Sequence, residues 1–281
     1  MRYIDMHIHT NASDGSCSPS EVVKLAADSN LAAIAITDHD TVDGVKEAME
    51  ASQIYNMDVV PGVEMSAIYN GIEIHILGYF MDYENQQLLS RLDSIKQARY
   101  DRNEAMCERF KKDGINMTME RLSFGHGNTV ITRAHFARIL IEDGICKDMN
   151  QAFKKYLHKK SKYYIPTPDM TAKEAVELIT EYGKAAFIAH PLIYGFGYSQ
   201  IEEMLIALKE FGITGLEAYH SSNNCYESGR LRELARKHGL LISGGSDFHG
   251  AAKPDIKVGF GRGGLHVTEA VYTDMLNSIC K

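Results

Sequence analysis

Histidine and acidic residues recur along this chain in short runs placed where strands should end. The runs are Asp5-Met6-His7-Ile8-His9, Ser13-Asp14-Gly15, Thr37-Asp38-His39-Asp40, Pro61-Gly62-Val63-Glu64, His75-Ile76-Leu77-Gly78, Ala189-His190-Pro191 and Gly245-Ser246-Asp247-Phe248-His249. Imidazole and carboxylate without thiolate suit Mn, Fe or Zn, and they suit hydrolysis.

The elements that must carry these residues read as strands. Tyr3 to His9 alternates in the strand period, so His7 and His9 share a face and can reach one cation. One such pair is a weak signal; its repetition along the chain is the stronger one. Leu31–Ile36 is a continuous apolar run, as for a strand buried on both faces, and it stops at Thr37-Asp38-His39-Asp40. Runs beginning at Asp58, Lys184 and Gly239 stop in the same way, at Glu64, His190 and Asp247 with His249. Barrel enzymes place their chemistry at the carboxyl ends of buried strands. Helix capping is the competing reading. It serves for Asp38 or Asp40, but caps favour Ser, Thr, Asp and Asn over His.

Strand and helix patterns alternate up to about residue 85 and again after Met170, the rhythm of parallel β/α units. Between Gln86 and Pro168 helical periodicity takes over. This predicts barrel segments at 1–85 and 168–281 around an all-helical insert at 86–167. Continuing the Leu88–Leu92–Ile95 face at helical spacing gives Arg99, Arg102, Met106 and Arg109. Guanidinium groups in that position could meet phosphate in a cleft, or could pair locally with Asp101, Glu104 or Glu108. Thr132-Arg133-Ala134-His135 opens the next helix, a plausible anion site, with His135 otherwise an ordinary helix histidine. His220 follows Glu217-Ala218-Tyr219 at another strand end. The string Gly259-Phe260-Gly261-Arg262-Gly263-Gly264 opens no long helix, so it reads as a loop rather than a dinucleotide site; Lys253 and Arg262 could approach a substrate there. His126, His158, His238 and His266 fit no ligand pattern.

A formal net charge of -7 argues against broad duplex-DNA binding. Cys17, Cys107, Cys146, Cys225 and Cys280 are scattered and odd in number, as for free thiols in a reducing cytoplasm. No signal peptide is read at the start, and no apolar run is long enough to span a membrane.

Taken as a set, the seven runs resemble the polymerase-and-histidinol-phosphatase (PHP) family, over nearly the whole chain apart from the insert. The resemblance implies a distorted seven-stranded (β/α)7 barrel with two or three divalent metal ions (Mn, Fe or Zn) at its mouth. It implies a first ion on His7, His9, Glu64 and Asp247, and a second on Glu64, His75 and His190, with Glu64 bridging. A third would sit on Asp14, His39 and His249. Asp5, Asp38 and Asp40 would orient histidine rings. The insert would act as a substrate lid, with Arg99, Arg102, Arg133 and His135 on substrate phosphate. Glu64, Asp247 and His220 would serve catalysis. Within the family the chain is similar to the branch acting on nucleoside 3',5'-bisphosphates and on 5'-phosphorylated nucleic-acid ends. The expected activity is phosphate monoester hydrolysis, removing the 3'-phosphate of a nucleoside 3',5'-bisphosphate. The alternatives are 5'-to-3' cleavage of short RNA, another small-molecule phosphatase such as the histidinol phosphate type, or a non-catalytic partner-binding module.

Overall fold

The computed structural model describes residues 2–125, 127, 129–166 and 170–279. Its strands are β1 (Tyr3–Ile8), β2 (Ala33–Ile36), β3 (Asp58–Tyr69), β4 (Ile72–Tyr79), β5 (Ala185–Ile188), β6 (Ile213–His220), β7 (Leu241–Gly245) and β8 (Val267–Thr268). They form one sheet in the order β7-β6-β5-β4-β3-β2-β1-β8. The sheet curls into a nearly closed barrel. Beyond β7, Asp247 N–H donates to His7 O at 2.9 Å, and His9 N–H donates to Phe248 O at 3.0 Å, which ties the β7 end of the sheet to β1.

Seven strands in parallel β/α units were expected; the described residues hold eight, and two run against the rest. β8 pairs antiparallel with β1 at Tyr3 and Ile4. β4 is antiparallel to both β3 and β5. The cause is a hairpin at Asn70-Gly71, whose positive φ values of 48° and 76° suit those two residue types. Glu64 and His75 therefore lie inside the strands of a hairpin rather than at strand ends, two rungs apart in register.

Helices cover the sheet. They are α1 (Pro19–Asp28), α2 (Val45–Tyr55), α3 (Gln86–Lys112), α4 (Met119–Leu122), α5 (Arg133–Glu142), α6 (Met149–Ala152), α7 (Ala172–Tyr182), α8 (Tyr198–Lys209), α9 (Cys225–Lys237) and α10 (Glu269–Ile279). Ser18 and Glu21 cap the start of α1 reciprocally, and Thr171 and Glu174 do so for α7. α7 buries Ala175, Val176 and Ile179 in the core between sheet and helices. β2 splits its side chains by the strand period: Ile34 and Ile36 join that core, while Ala33 and Ala35 join a second with Met6, Tyr79 and Phe187.

Between 86 and 166 the described residues contain helices α3 to α6 and one wide turn, Phe153–Leu157, and no strand. They have their own apolar cluster, in which the Phe110 and Tyr163 rings stack at 4.0 Å, nearly parallel. Thr167 and Pro168, where the insert was expected to end, lie outside the described residues, as do His126 and Cys280. No described helix is long and apolar enough to cross a membrane.

Candidate metal centre

β1, β3, β4 and the segments after β1, β2, β5 and β7 bring the expected ligands to one end of the barrel. Glu64, 1 % exposed, is the hub. Its Oε1 lies 2.9 Å from both His75 Nδ1 and His190 Nε2. Its Oε2 lies 3.2 Å from His7 Nε2, 3.1 Å from His9 Nε2 and 3.2 Å from His39 Nδ1. Asp247 Oδ1 sits 3.4 Å from His9 Nε2, and Asp14 Oδ1 sits 3.1 Å from His249 Nε2. All nine residues expected to hold metal thus converge.

Four overlapping sets bring their ligand atoms close enough to share an ion: His9–Asp14–His39–His249, His7–Glu64–His190, His7–His9–Asp247 and His39–Glu64–His75. The partition differs in detail from the expected one. His9 also faces the Asp14 set, and His39 stands between that set and Glu64.

The donor set fits divalent cations. His9 Nδ1, Asp14 Oδ1, His39 Nδ1, Glu64 Oε2 and His190 Nδ1 are buried polar atoms that make no well-aligned hydrogen bond, even where an ion-pair partner lies close. Groups in that condition cost stability unless something charged or polar meets them. Burial opposes charge on Glu64, Asp14 and Asp247. Their neighbours, histidines around all three and Lys253 beside Asp247, still hold each carboxyl well below its ordinary range. Burial pushes His190 down to about 4 and His39 well below the usual imidazole value. Ionised carboxylates and neutral rings are the forms that ligate. Burial also opposes charge on His7, His9 and His75, but the carboxylates beside them hold these three rings protonated, His9 up to about 9 and His75 up to about 10, so an ion must displace their protons.

Three of the backbone positions involved are left-handed: Asp40, His190 and Asp247 have φ of 52°, 26° and 57°. Such conformations are costly for these residue types and cluster at functional sites. Close approach shapes the site as well. A Cβ on Gly245 would stand 2.4 Å from both Cβ and N of His7, so only glycine lets this strand end pass.

The PHP domain family matches residues 5–166 of this chain. A 3',5'-nucleoside bisphosphate phosphatase of Chromobacterium violaceum is 33% identical over 260 residues, 92% of this chain and 91% of that protein. The chain belongs to the PHP domain family. It is a metal-dependent phosphoesterase. A 5'-3' exoribonuclease of Escherichia coli is 32% identical over 247 residues, 87% of this chain and 84% of its own. A solved structure from Bifidobacterium adolescentis, proposed to be a metal-dependent phosphoesterase, superposes with a TM-score of 0.86 at 32% identity, covering 98% of this chain and 96% of that one.

Around this PHP centre the basic residues take distinct places. Arg99 on α3 pairs with Asp40 and donates to Ser66 Oγ at 2.7 Å, rather than pairing along its own helix. Arg133 pairs with Glu73 at 2.7 Å. Arg102 is 8 % exposed and donates to Asn103 Oδ1 through Nε and Nη2. Among the described residues no carboxylate lies within ion-pair distance of it. Burial, with Arg99 and Arg133 nearby, lowers it to about 10. Arg109 leaves the cleft and donates to Lys162 O and Tyr164 O. His135 is buried, and its Nδ1 accepts from Thr132 N–H at 3.0 Å, which makes it part of the helix cap. His220 Nδ1 accepts from Ser222 N–H, so a neutral ring carries its proton on Nε2, 3.3 Å from Asp247 Oδ2.

The acids expected to orient histidine rings do something else. Asp5 accepts from Ser246 and from Gly259 N–H; Asp38 accepts from Thr10 and Ser13; Asp40 accepts from Ser66 N–H and Arg99. They pin the loops that carry ligands. Three side chains absent from the expected set also touch it. Thr132 Oγ1 donates to Asp14 Oδ2 at 2.8 Å, Lys253 Nζ donates to Asp247 Oδ2 at 2.5 Å, and Glu217 Oε1 accepts from His7 Nδ1 at 3.0 Å. For Glu217 the signal was present: an acid inside the buried run Leu216-Glu217-Ala218.

Proposed function

We propose that this phosphoesterase removes the 3'-phosphate of nucleoside 3',5'-bisphosphates, releasing a nucleoside 5'-monophosphate. The observation that carries the reading is Arg102, a buried guanidinium with no carboxylate within ion-pair distance among the described residues, beside a cavity of about 230 Å³. A buried cation in that state is expensive unless an anion comes to it. Ile68, Ile95, Ala98 and Met170 line the same cavity as an apolar seat for a base, and the two carboxylates on its wall, Asp40 and Glu73, are already paired with Arg99 and Arg133. A smaller cavity of about 150 Å³, lined by Asp14, His39, His75 and Arg133, shares Ser66, Glu73 and Arg99 with the larger one and borders the metal centre. The similarity to a bisphosphate phosphatase supports the same reading.

On this reading His7, His9, Glu64 and Asp247 hold one ion, Glu64, His75 and His190 a second, and Asp14, His39 and His249 a third. When bound, such ions supply charge neutralisation at the phosphoryl oxygens and an acidified water. The protein's own groups do the rest. Arg102, with Arg99 and Arg133, clamps the 5'-phosphate and so sets the distance to the reacting 3'-phosphate. His220 holds its proton at Nε2 for the departing 3'-oxygen. Residues 86–167 act as the lid that brings the arginines.

The test is kcat/KM for a nucleoside 3',5'-bisphosphate against the 3'-monophosphate and an aryl phosphate. A preference of about ten-fold or more for the bisphosphate is expected from a charge-assisted contact. Equal rates would remove the specificity.

One observation favours a second reading, trimming of short 5'-phosphorylated RNA. Arg99 also lines a further cavity of about 430 Å³, with Lys96, Gln97, Tyr100 and Asn103 and the acids Asp43 and Asp93, which could receive nucleotides beyond the first. A 5'-phosphorylated trinucleotide hydrolysed faster than the bisphosphate would favour it.

A further inference from the structure

We infer that Glu217 is a positioning residue that fixes which nitrogen of His7 is free to ligate and, through its second oxygen, holds His190 in place. The inference rests on the metal-dependent reading above.

Glu217 is fully buried on β6. Its Oε1 accepts from His7 Nδ1 at 3.0 Å. Its Oε2 accepts from His190 N–H at 2.8 Å. A neutral imidazole carries one proton. With that proton on Nδ1, the His7 lone pair is on Nε2. Nε2 is the atom that faces His9 Nε2 at 3.1 Å and Glu64 Oε2 at 3.2 Å. The carboxylate therefore turns the His7 donor nitrogen toward the protein and its lone pair toward the ligand set. The second oxygen meets the backbone N–H of His190, whose φ of 26° is a conformation the chain does not hold unaided. One side chain thus sets a ring and a backbone of the His7–Glu64–His190 set, from strands far apart in sequence.

Replacing the carboxylate by an amide is a sharp probe, because shape is kept and hydrogen-bond direction is not. In Glu217→Gln the amide offers one acceptor and one donor, where His7 Nδ1–H and His190 N–H both require acceptors. If the amide oxygen stays on His190, the NH2 faces His7. The proton of His7 then moves to Nε2, and the ligating lone pair is lost.

The experiment is a titration of metal-stripped protein with Zn or Mn against a competing chromophoric chelator, on wild type, Glu217→Gln and Glu217→Ala. Thermal unfolding of each metal-free protein runs alongside. Wild type binding metal is the condition on which the metal-dependent reading stands; its absence would overturn that reading, not this one. With wild type bound, Glu217→Gln is expected to weaken binding by about ten- to a hundred-fold while the metal-free Tm stays near wild type. A residue that only fills space would show the reverse: Gln like wild type, Ala destabilised. Wild-type affinity in Glu217→Gln overturns the inference. Should Glu217→Gln not fold, selective 15N-histidine labelling of zinc-loaded wild type decides: His7 with its proton on Nδ1 supports the inference, and on Nε2 defeats it.

Discussion

The Nε2 atoms of His7 and His9 face each other 3.1 Å apart, both fully buried, with Glu64 Oε2 within 3.2 Å of each. Two lone pairs cannot face each other there, so a proton lies between them in metal-free protein. Burial opposes charge on both rings, but Glu217 and Glu64 beside His7, and Asp247 and Glu64 beside His9, hold them protonated, His9 up to about 9, and a divalent ion has to displace those protons. Metal loading should therefore release protons. Calorimetric titration in buffers of different ionisation enthalpy checks this: heats independent of buffer would count against it. Because protons compete, apparent metal affinity should rise with pH, and chelation should lower Tm.

Glu64 touches five imidazoles with its two oxygens. Glu64→Gln keeps the shape and replaces one acceptor with a donor. The variant is expected to fold yet lose at least about a hundred-fold in kcat, with fewer ions retained. Metal content by elemental analysis, beside turnover, checks both halves; normal content with normal turnover would refute the role.

Arg102 separates binding from stability. Arg102→Met removes a buried charge that has no carboxylate partner among the described residues, so Tm should stay level or rise. The kcat/KM for a bisphosphate should fall by about ten- to a hundred-fold, with a much smaller change for an aryl phosphate. A large fall in Tm would mean the guanidinium is structural.

Gly245→Ala tests the seam between β7 and β1. The added methyl would lie 2.4 Å from His7 Cβ and N, so the strand must shift. Overpacking of this kind costs about 1–3 kcal/mol or more. Calorimetry should show Tm down by several degrees, and metal retention should fall with it, since His7 is what moves. An unchanged Tm would show the seam to be slack.

The ligand residues were legible because histidine at the edge of a buried strand has few other uses. His190 after Ala185–Ile188 and His249 after Leu241–Gly245 sit as the runs suggested. Glu64 and His75 were legible as residues but not in their setting. The Asn70-Gly71 turn and the alternation Ile72-Glu73-Ile74-His75-Ile76 mark an antiparallel hairpin, but the parallel rhythm elsewhere in the chain masked it. The arginine face of α3 was legible as a face. Its partners were not, because Asp40 and Ser66 are more than thirty residues away and only packing brings them there. The same limit hid the loop-pinning roles of Asp5 and Asp38: which acid meets a ring and which meets a backbone N–H depends on loop geometry, and that is not written in spacing.

The left-handed backbones of Asp40, His190 and Asp247 imply that yield and turnover pull in opposite directions at these positions. Glycine there relieves about 1–3 kcal/mol of conformational cost while deleting a side chain the site uses. A variant library sorted only for soluble expression would enrich glycine first at 190, since Asp40 and Asp247 also hold Arg99 and Lys253, and select its way out of the enzyme. A library sorted for hydrolysis would keep the costlier residues.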